Sequence, residues 1–300
     1  MGWVSARITM FERILGIIVP VFLIIALGYA YARRAKPDMA WVNRINLNIL
    51  APALIFTALS SKEFDLAAND LLILGSVGVV LGSGLLAWPF AKLLREDPRT
   101  FVPPMMFNNC GNLGLPLAAL GYGSIGLSAM VAMFTISNLL HFTLGVHIVR
   151  RSARIGPIFR NPMVVATFVG FAFALFHPPL PDSLALAIKI TGDAMIPLML
   201  ISLGVRMATV SWGGWNLGVI GALVCPLTGI AMAALLGPVL ALDRTQQGLL
   251  IVFGSLPPAV INFMVAEQYD QEPAKVASIV LVGHLASLVF VPLGLAIALH

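Results

Sequence analysis

The chain has 300 residues, 59% of them apolar and only 10% charged, with a formal net charge of +5. Soluble domains carry roughly 25% charged residues. With a mean hydropathy of +0.95 the chain is expected to be an all-α integral membrane protein and not a soluble domain. Its cations cluster in short loops between apolar runs, a topology signal, so no nucleic-acid partner is expected.

Uncharged stretches occupy 14–32, 71–91, 100–149, 161–181, 207–242, 245–266 and 276–300. A helix needs about 20 apolar residues to cross the hydrocarbon. The first stretch ends in Ala30-Tyr31-Ala32, which resembles a cleavable leader. Arg33-Arg34 directly after it disfavours processing, so it is expected to stay as the first span. Residues 100–149 suffice for two spans and divide at Gly121-Tyr122-Gly123, whereas 207–242 reads as one long span with Trp212 and Trp215 leading in at the interface. Two more spans, about 41–60 and 183–204, carry internal charge. The total is ten transmembrane helices. Cys110 and Cys225 both fall inside spans, and no disulfide framework is expected.

Arg33, Arg34, Lys36, Lys92, Arg95, Arg99, Arg150, Arg151, Arg154 and Arg160 then share one side of the membrane. The other side holds mainly Arg7, Arg13, Lys62 and Arg244. The positive-inside rule makes the first side cytoplasmic. The expectation is a multi-pass protein of the cell (inner) membrane with both termini outside the cytoplasm.

Two patterns recur. Arg44, Asn48 and Pro52 return 145 positions later as Lys189, Asp193 and Pro197. In each copy a cation, a polar group and a proline are spaced in steps of four, which places them on one helix face. Phe107-Asn-Asn-Cys-Gly111 is followed 146 positions later by Phe253-Gly-Ser-Leu-Pro257. The chain therefore divides into five-helix repeats at 1–155 and 156–300. An odd number of spans per repeat inverts the second relative to the first.

Each repeat carries a broken span. Asn108, Asn109, Gly111, Asn112, Gly114 and Pro116 crowd the centre of span four. Gly254, Ser255, Pro257 and Pro258, followed by Asn262, interrupt span nine. Proline removes a backbone donor and clashes with the preceding turn. Irregular backbone at membrane depth survives only against protein or a watery cavity. One such break is as readily a packing kink, since Pro and Gly are common in membrane helices. Two at matched positions point to the site of a secondary transporter. Half-helices that start there offer free N–H groups and a partial positive charge, which suits a carboxylate.

Val42-Asn43-Arg44 through Pro52, Asn109-Cys-Gly-Asn-Leu-Gly-Leu-Pro116, Gly192-Asp193-Ala-Met-Ile-Pro197 through Gly204, and Pro257 to Tyr269 resemble the auxin efflux carrier family. The resemblance runs over nearly the whole chain. No long hydrophilic loop follows span five, so the bacterial members are the nearer match. It implies a scaffold of spans 1, 2, 6 and 7, a transport unit of spans 3–5 and 8–10, and elevator-like movement of organic anions. Family substrates include indole-acetate in plants and small carboxylates such as malate or malonate in bacteria. Bile-acid symporters share the implied fold and use sodium. By position, the resemblance assigns Asn109, Gly111, Asn112, Pro257 and Pro258 to the substrate crossover; Pro116, Ser255 and Asn262, which sit at the same breaks, are further substrate-binding candidates.

Four embedded groups remain to be weighed. Asp193 is an ion-coupling candidate, because an acid within a span is costly. Lys189 lies one turn before it and offers a purely structural pairing. Its counterpart in the first half, Asn48, cannot titrate. His284 titrates near neutrality, or packs as a neutral hydrogen-bonded ring. Asn138 and His141 either face the crossover or join helices. Met105, Met106, Met130 and Met133 read as packing, and no metal site is assigned.

The chain lacks a His-Glu-x-x-His zinc motif, a Gly-x-Ser-x-Gly elbow and a Gly-rich phosphate loop, and no channel filter is visible. It is expected not to be an enzyme. The expected function is secondary transport of a small organic anion. A sodium-coupled symporter of the bile-acid type is the alternative; an intramembrane enzyme or a channel is remote. No cofactor is expected beyond a coupling proton or sodium ion, and exposed scaffold helices leave room for a homodimer.

Overall fold

The computed structural model describes residues 9–61, 64–150, 162–176, 178–209 and 215–300. Arg7, Lys62, Arg151, Arg154, Arg160, Trp212 and the boundary between 155 and 156 lie outside them. The described residues form helices joined by short turns.

Helix α1 (Met10–Ala35) opens with a capping box: Thr9 Oγ1 accepts from the Glu12 N–H and Glu12 Oε2 accepts from the Thr9 N–H. Helix α2 (Ala40–Leu59) widens into a π-turn over Asn46–Leu50, directly before Pro52. Pro52 has no N–H to continue the ladder, and the wider turn accommodates it. Helix α3 (Leu66–Leu93) leads to the short α4 (Pro98–Met106), which stops in extended backbone at Phe107. Helix α5 (Cys110–Val149) bends at Gly123, where φ is 67° and ψ is −152°. Only glycine adopts that conformation without strain, and this is the division expected from the sequence.

Helix α6 (Pro162–Phe176) follows, then α7 (Asp182–Asp193) and α8 (Met195–Thr209), with a kink between the last two. Helix α9 (Trp215–Val239) precedes the interrupted pair α10 (Arg244–Ser255) and α11 (Ile261–Gln268), and α12 (Pro273–Leu299) ends the chain. Among the described residues, seven stretches are long and apolar enough to cross a membrane, counting α7 with α8 as one. Helix α6 is apolar but short, and α4, α10 and α11 are short segments beside the breaks. This is a multi-pass membrane protein.

Packing separates the helices into two groups. Helix α1 lies chiefly on α8, and α2 on α6 and α7. Helices α3, α4, α5, α9, α10, α11 and α12 pack mainly on one another. The α1–α8 crossing is close, since a Cβ on Gly28 would strike Ile201 O and one on Gly204 would strike Ile25 O. Gly229 on α9 and Gly254 on α10 meet in the same way. Small residues at crossings are how membrane helices gain packing without a hydrophobic drive. Met105, Met106, Met130 and Met133 are buried in the core, as expected.

Polar contacts tie helix ends into two sets. At one end, Arg13 donates to Gly121 O and Gln246 Nε2 to Ala68 O, and Arg244 reaches the C-terminal His300. At the other, Thr100 Oγ1 donates to Glu272 at 2.6 Å, Lys275 pairs with Glu96 at 2.7 Å, and Arg150 lies over the Tyr269 ring. Hydrogen bonds from Arg99 hold the Asp97 carboxyl below its usual range, and those from Lys275 and Thr100 do the same for Glu272.

Candidate functional site

The two breaks meet. Phe107–Asn109 and Pro257–Ala259 lie antiparallel, with an isolated bridge between Asn108 and Pro258. The Asn109 N–H donates to Pro257 O at 2.7 Å, and the Ala259 N–H donates to Phe107 O at 2.8 Å. Backbone freed by Pro and Gly in each half is thus satisfied by the other half. Side chains complete the join: Asn108 Nδ2 donates to Phe253 O, and Asn262 Nδ2 donates to Phe107 O and Ala259 O. Asn109 Oδ1 accepts from the Asn112 N–H, capping the start of α5.

A cavity of about 690 Å³ opens beside this crossover, within the range that holds small ligands. Asn108, Asn109, Gly111 and Asn112 form its floor, with Asn138 and His141 of α5 alongside. Asn43, Arg44, Asn46 and Asn48 of α2 and Met199, Ser202 and Arg206 of α8 face them. No Asp or Glu lines it among the described residues, whereas two arginines do. Asn46 Oδ1, Asn108 Oδ1 and Ser202 Oγ are buried without a protein hydrogen-bond partner, so water or a ligand must supply one. His141 is 2% exposed and stacks on the Phe107 ring at 4.2 Å, so it braces the crossover as well as lining the cavity.

Of the expected site residues, Asn109, Gly111, Asn112, Asn138 and His141 come together on the cavity wall. Pro116, Ser255, Pro257, Pro258 and Asn262 do not. Ser255 Oγ turns inward to Val252 O, and Asn262 spends its amide on the crossover backbone. Their place is structural support one layer behind the wall. His284 is buried behind Asn109, with Nε2 at 2.7 Å from Asn109 Nδ2.

Lys189 and Asp193 are also absent from the wall. They form an ion pair at 2.6 Å, with side chains 57% and 52% exposed on the outside of the helix group. In a bilayer that surface is mid-span. Asp193→Asn is expected to leave a lone Lys189 there and to destabilise the protein by about 2.5–3.5 kcal/mol, the insertion cost of such a charge. Adding Lys189→Gln should restore the melting temperature. A single variant that melts like the parent would show that the pair does not support the fold.

Asn46, Ser202 and Arg206 are among the wall residues that sequence patterns did not single out. Arg206 stands in the last turn of α8, where a lone arginine reads as a topology signal.

The sequence pattern of the family described as "Membrane transport protein" matches residues 13–158 and 153–295. A Rhizobium meliloti protein named "Putative malonate transporter" is 26% identical over 306 residues, 92% of each chain. An "Uncharacterized transporter" of Methanothermobacter thermautotrophicus is 26% identical over 302 residues, 92% of this chain and 95% of its own. Auxin efflux carrier component 3a of Oryza sativa subsp. japonica is 28% identical over 138 residues, 44% of this chain and 22% of that protein. The family pattern and the first two relatives run along both halves of the chain, and the proteins that carry these matches are transporters, not enzymes. The chain belongs to the auxin efflux carrier family of membrane transport proteins.

Proposed function

We propose that this transporter is a secondary carrier of a small organic anion, a carboxylate, working by elevator-like alternating access. The observation that carries the reading is the cavity wall: Arg44 and Arg206, a floor of asparagine amides, and no acidic side chain among the described residues. Such a wall attracts a carboxylate and repels a cation. The name of the Rhizobium relative puts malonate first among the candidates to try.

Ten crossings follow if α4 joins the first part of α5 across the break, α5 crosses again after Gly123, and α10 joins α11. Two inverted five-helix repeats, 1–155 and 156–300, then place the crossover at the repeat interface. The two packing groups support a scaffold of α1, α2, α6, α7 and α8 against a transport unit of the remaining helices. Asn43, Phe142, Pro162, Arg206 and Met264 lie toward the helix ends nearest the Arg33–Lys36 and Arg150 loops, so the cavity opens toward the basic side. With that side cytoplasmic, the conformation is inward-facing, in a cell inner membrane with both termini outside.

Purified protein in liposomes should exchange radiolabelled malonate, succinate or indole-3-acetate against the same unlabelled anion, and should not exchange an amine of similar size. Imposed proton and sodium gradients, applied separately, report the coupling ion. Exchange of the amine but of none of the three carboxylates would reject the anion-carrier reading.

A further inference from the structure

His284 is enclosed with both ring nitrogens engaged, and each partner fixes a role. Nδ1 lies 2.7 Å from Val280 O. A carbonyl only accepts, so Nδ1 carries the hydrogen. Nε2 is then the acceptor and takes a hydrogen from Asn109 Nδ2 at 2.7 Å. The Asn109 amide is oriented from its other end too, because its Oδ1 accepts from the Asn112 N–H. Neutral His284, the amide and the first turn of α5 thus form one chain of donors and acceptors with a single consistent direction.

A proton on Nε2 reverses that chain. The imidazolium has two donors and no acceptor, so it cannot face the amide NH₂. The Asn109 side chain must turn over and present Oδ1 to His284. Asn112 then loses its cap, and its N–H is released at the cavity floor together with the Asn109 amide donors. Protonation thereby adds a positive charge behind the floor and frees donors at a helix start, and both changes favour a bound anion.

A second chamber of about 20 Å³, room for roughly one water, lies between His284 and Arg206. Val260, Phe263 and Met207 close its sides. The helices packed against α12 are α1, α4, α9, α10 and α11, and among the described residues none brings an ionised group up to His284. Arg206, across the chamber, is the charged group that reaches it, and the Glu267 charge on α11 reaches Arg206. Burial of the ring disfavours its charged form, and Arg206 facing it across one small chamber adds repulsion between two cations. A carboxylate on Arg206 offsets the repulsion and sets a negative charge near the ring, so an occupied cavity favours the proton on His284 more than an empty one does.

We propose that His284 is the proton site of this carrier, and that it links proton uptake to anion binding by turning the Asn109 amide. The inference rests on the anion-site reading above and adds to it the coupling ion and the residue that holds it. By linkage, the factor by which the proton tightens the anion is the factor by which the anion tightens the proton.

The test is calorimetry of malonate, succinate and indole-3-acetate binding to the full chain in detergent, at and just above neutrality, in buffers of different ionisation enthalpy. The wild type should take up about one proton per anion bound, and its affinity should rise about tenfold per unit fall in pH. His284→Gln keeps an acceptor for Asn109 but holds no proton. It should bind with no proton uptake and a flat pH profile. Wild-type binding without proton uptake overturns the proposal whatever the variant does, as does equal uptake by His284→Gln. Either result leaves the anion site standing, whereas failure of all three probes to bind the wild type overturns both.

Discussion

Arg206→Ala is expected to weaken carboxylate binding by about 10- to 100-fold, the value of one hydrogen bond to a charged group, roughly 1.5–3 kcal/mol. Arg206 projects from the last turn of α8 into both the main cavity and the chamber in front of His284. Its guanidinium offers a planar pair of donors that matches a carboxylate. Arg44 stands on the opposite scaffold helix and is expected to contribute less, because its side chain is solvent-exposed and well screened. Arg206→Lys keeps the charge but loses the paired donors, so its affinity should fall between the wild type and alanine. Calorimetric titration with malonate and succinate reads the loss, and melting temperature shows whether each variant remains folded. A folded Arg206→Ala protein with wild-type affinity would move the anion to another part of the cavity.

The crossover was legible in the sequence because its signals are chemical. Pro and Gly announce broken helices wherever they cluster within an apolar run, and membrane depth forces the freed backbone to find partners. The observed exchange between Asn109 N–H and Pro257 O, and between Ala259 N–H and Phe107 O, is that requirement met. Gly123 was legible for the same reason. Side-chain direction was not. Asn109 and Asn112 face the cavity, while Ser255 and Asn262, equally close to a break, turn to the backbone behind it.

Helical spacing was right about relative placement. Steps of four put Arg44 and Asn48 on one face, and both line the cavity, with Asn48 Nδ2 donating to Arg44 O at 2.8 Å. The spacing gave no sign of Asn46, 3% exposed, which reaches the same wall from the buried side of the π-turn. In the second repeat the step of four also holds, since Lys189 and Asp193 meet at 2.6 Å. The face they share points away from the site, and spacing within one helix carries no information about which neighbour that face meets.

Gly204→Leu is expected to cost the protein its fold, while Gly16→Leu, also on the α1–α8 side of the molecule, leaves it intact. Gly204 on α8 and Gly28 on α1 form a reciprocal contact in which each glycine sits on the other helix's backbone. A Cβ at 204 meets Ile25 O and stands 2.7 Å from the Tyr29 nitrogen. Backbone atoms cannot rotate aside as a side chain can, so the helices must part. Overpacking ordinarily costs about 1–3 kcal/mol; here the strain falls on the most extensive crossing in the first packing group, and the loss should exceed that range. Gly16 has open space where its Cβ would go, with nothing within 4 Å. The consequence reaches the site, because Met199, Ser202 and Arg206 line the cavity from α8 itself. Gly204→Ala should therefore show a graded effect, with a lowered melting temperature and weaker malonate binding together. Size-exclusion chromatography and thermal melting of Gly16→Leu, Gly204→Ala and Gly204→Leu read the series. If Gly204→Leu elutes and melts like the parent, the α1–α8 contact is looser than its geometry requires, and α8 does not depend on α1 to hold Arg206 in place.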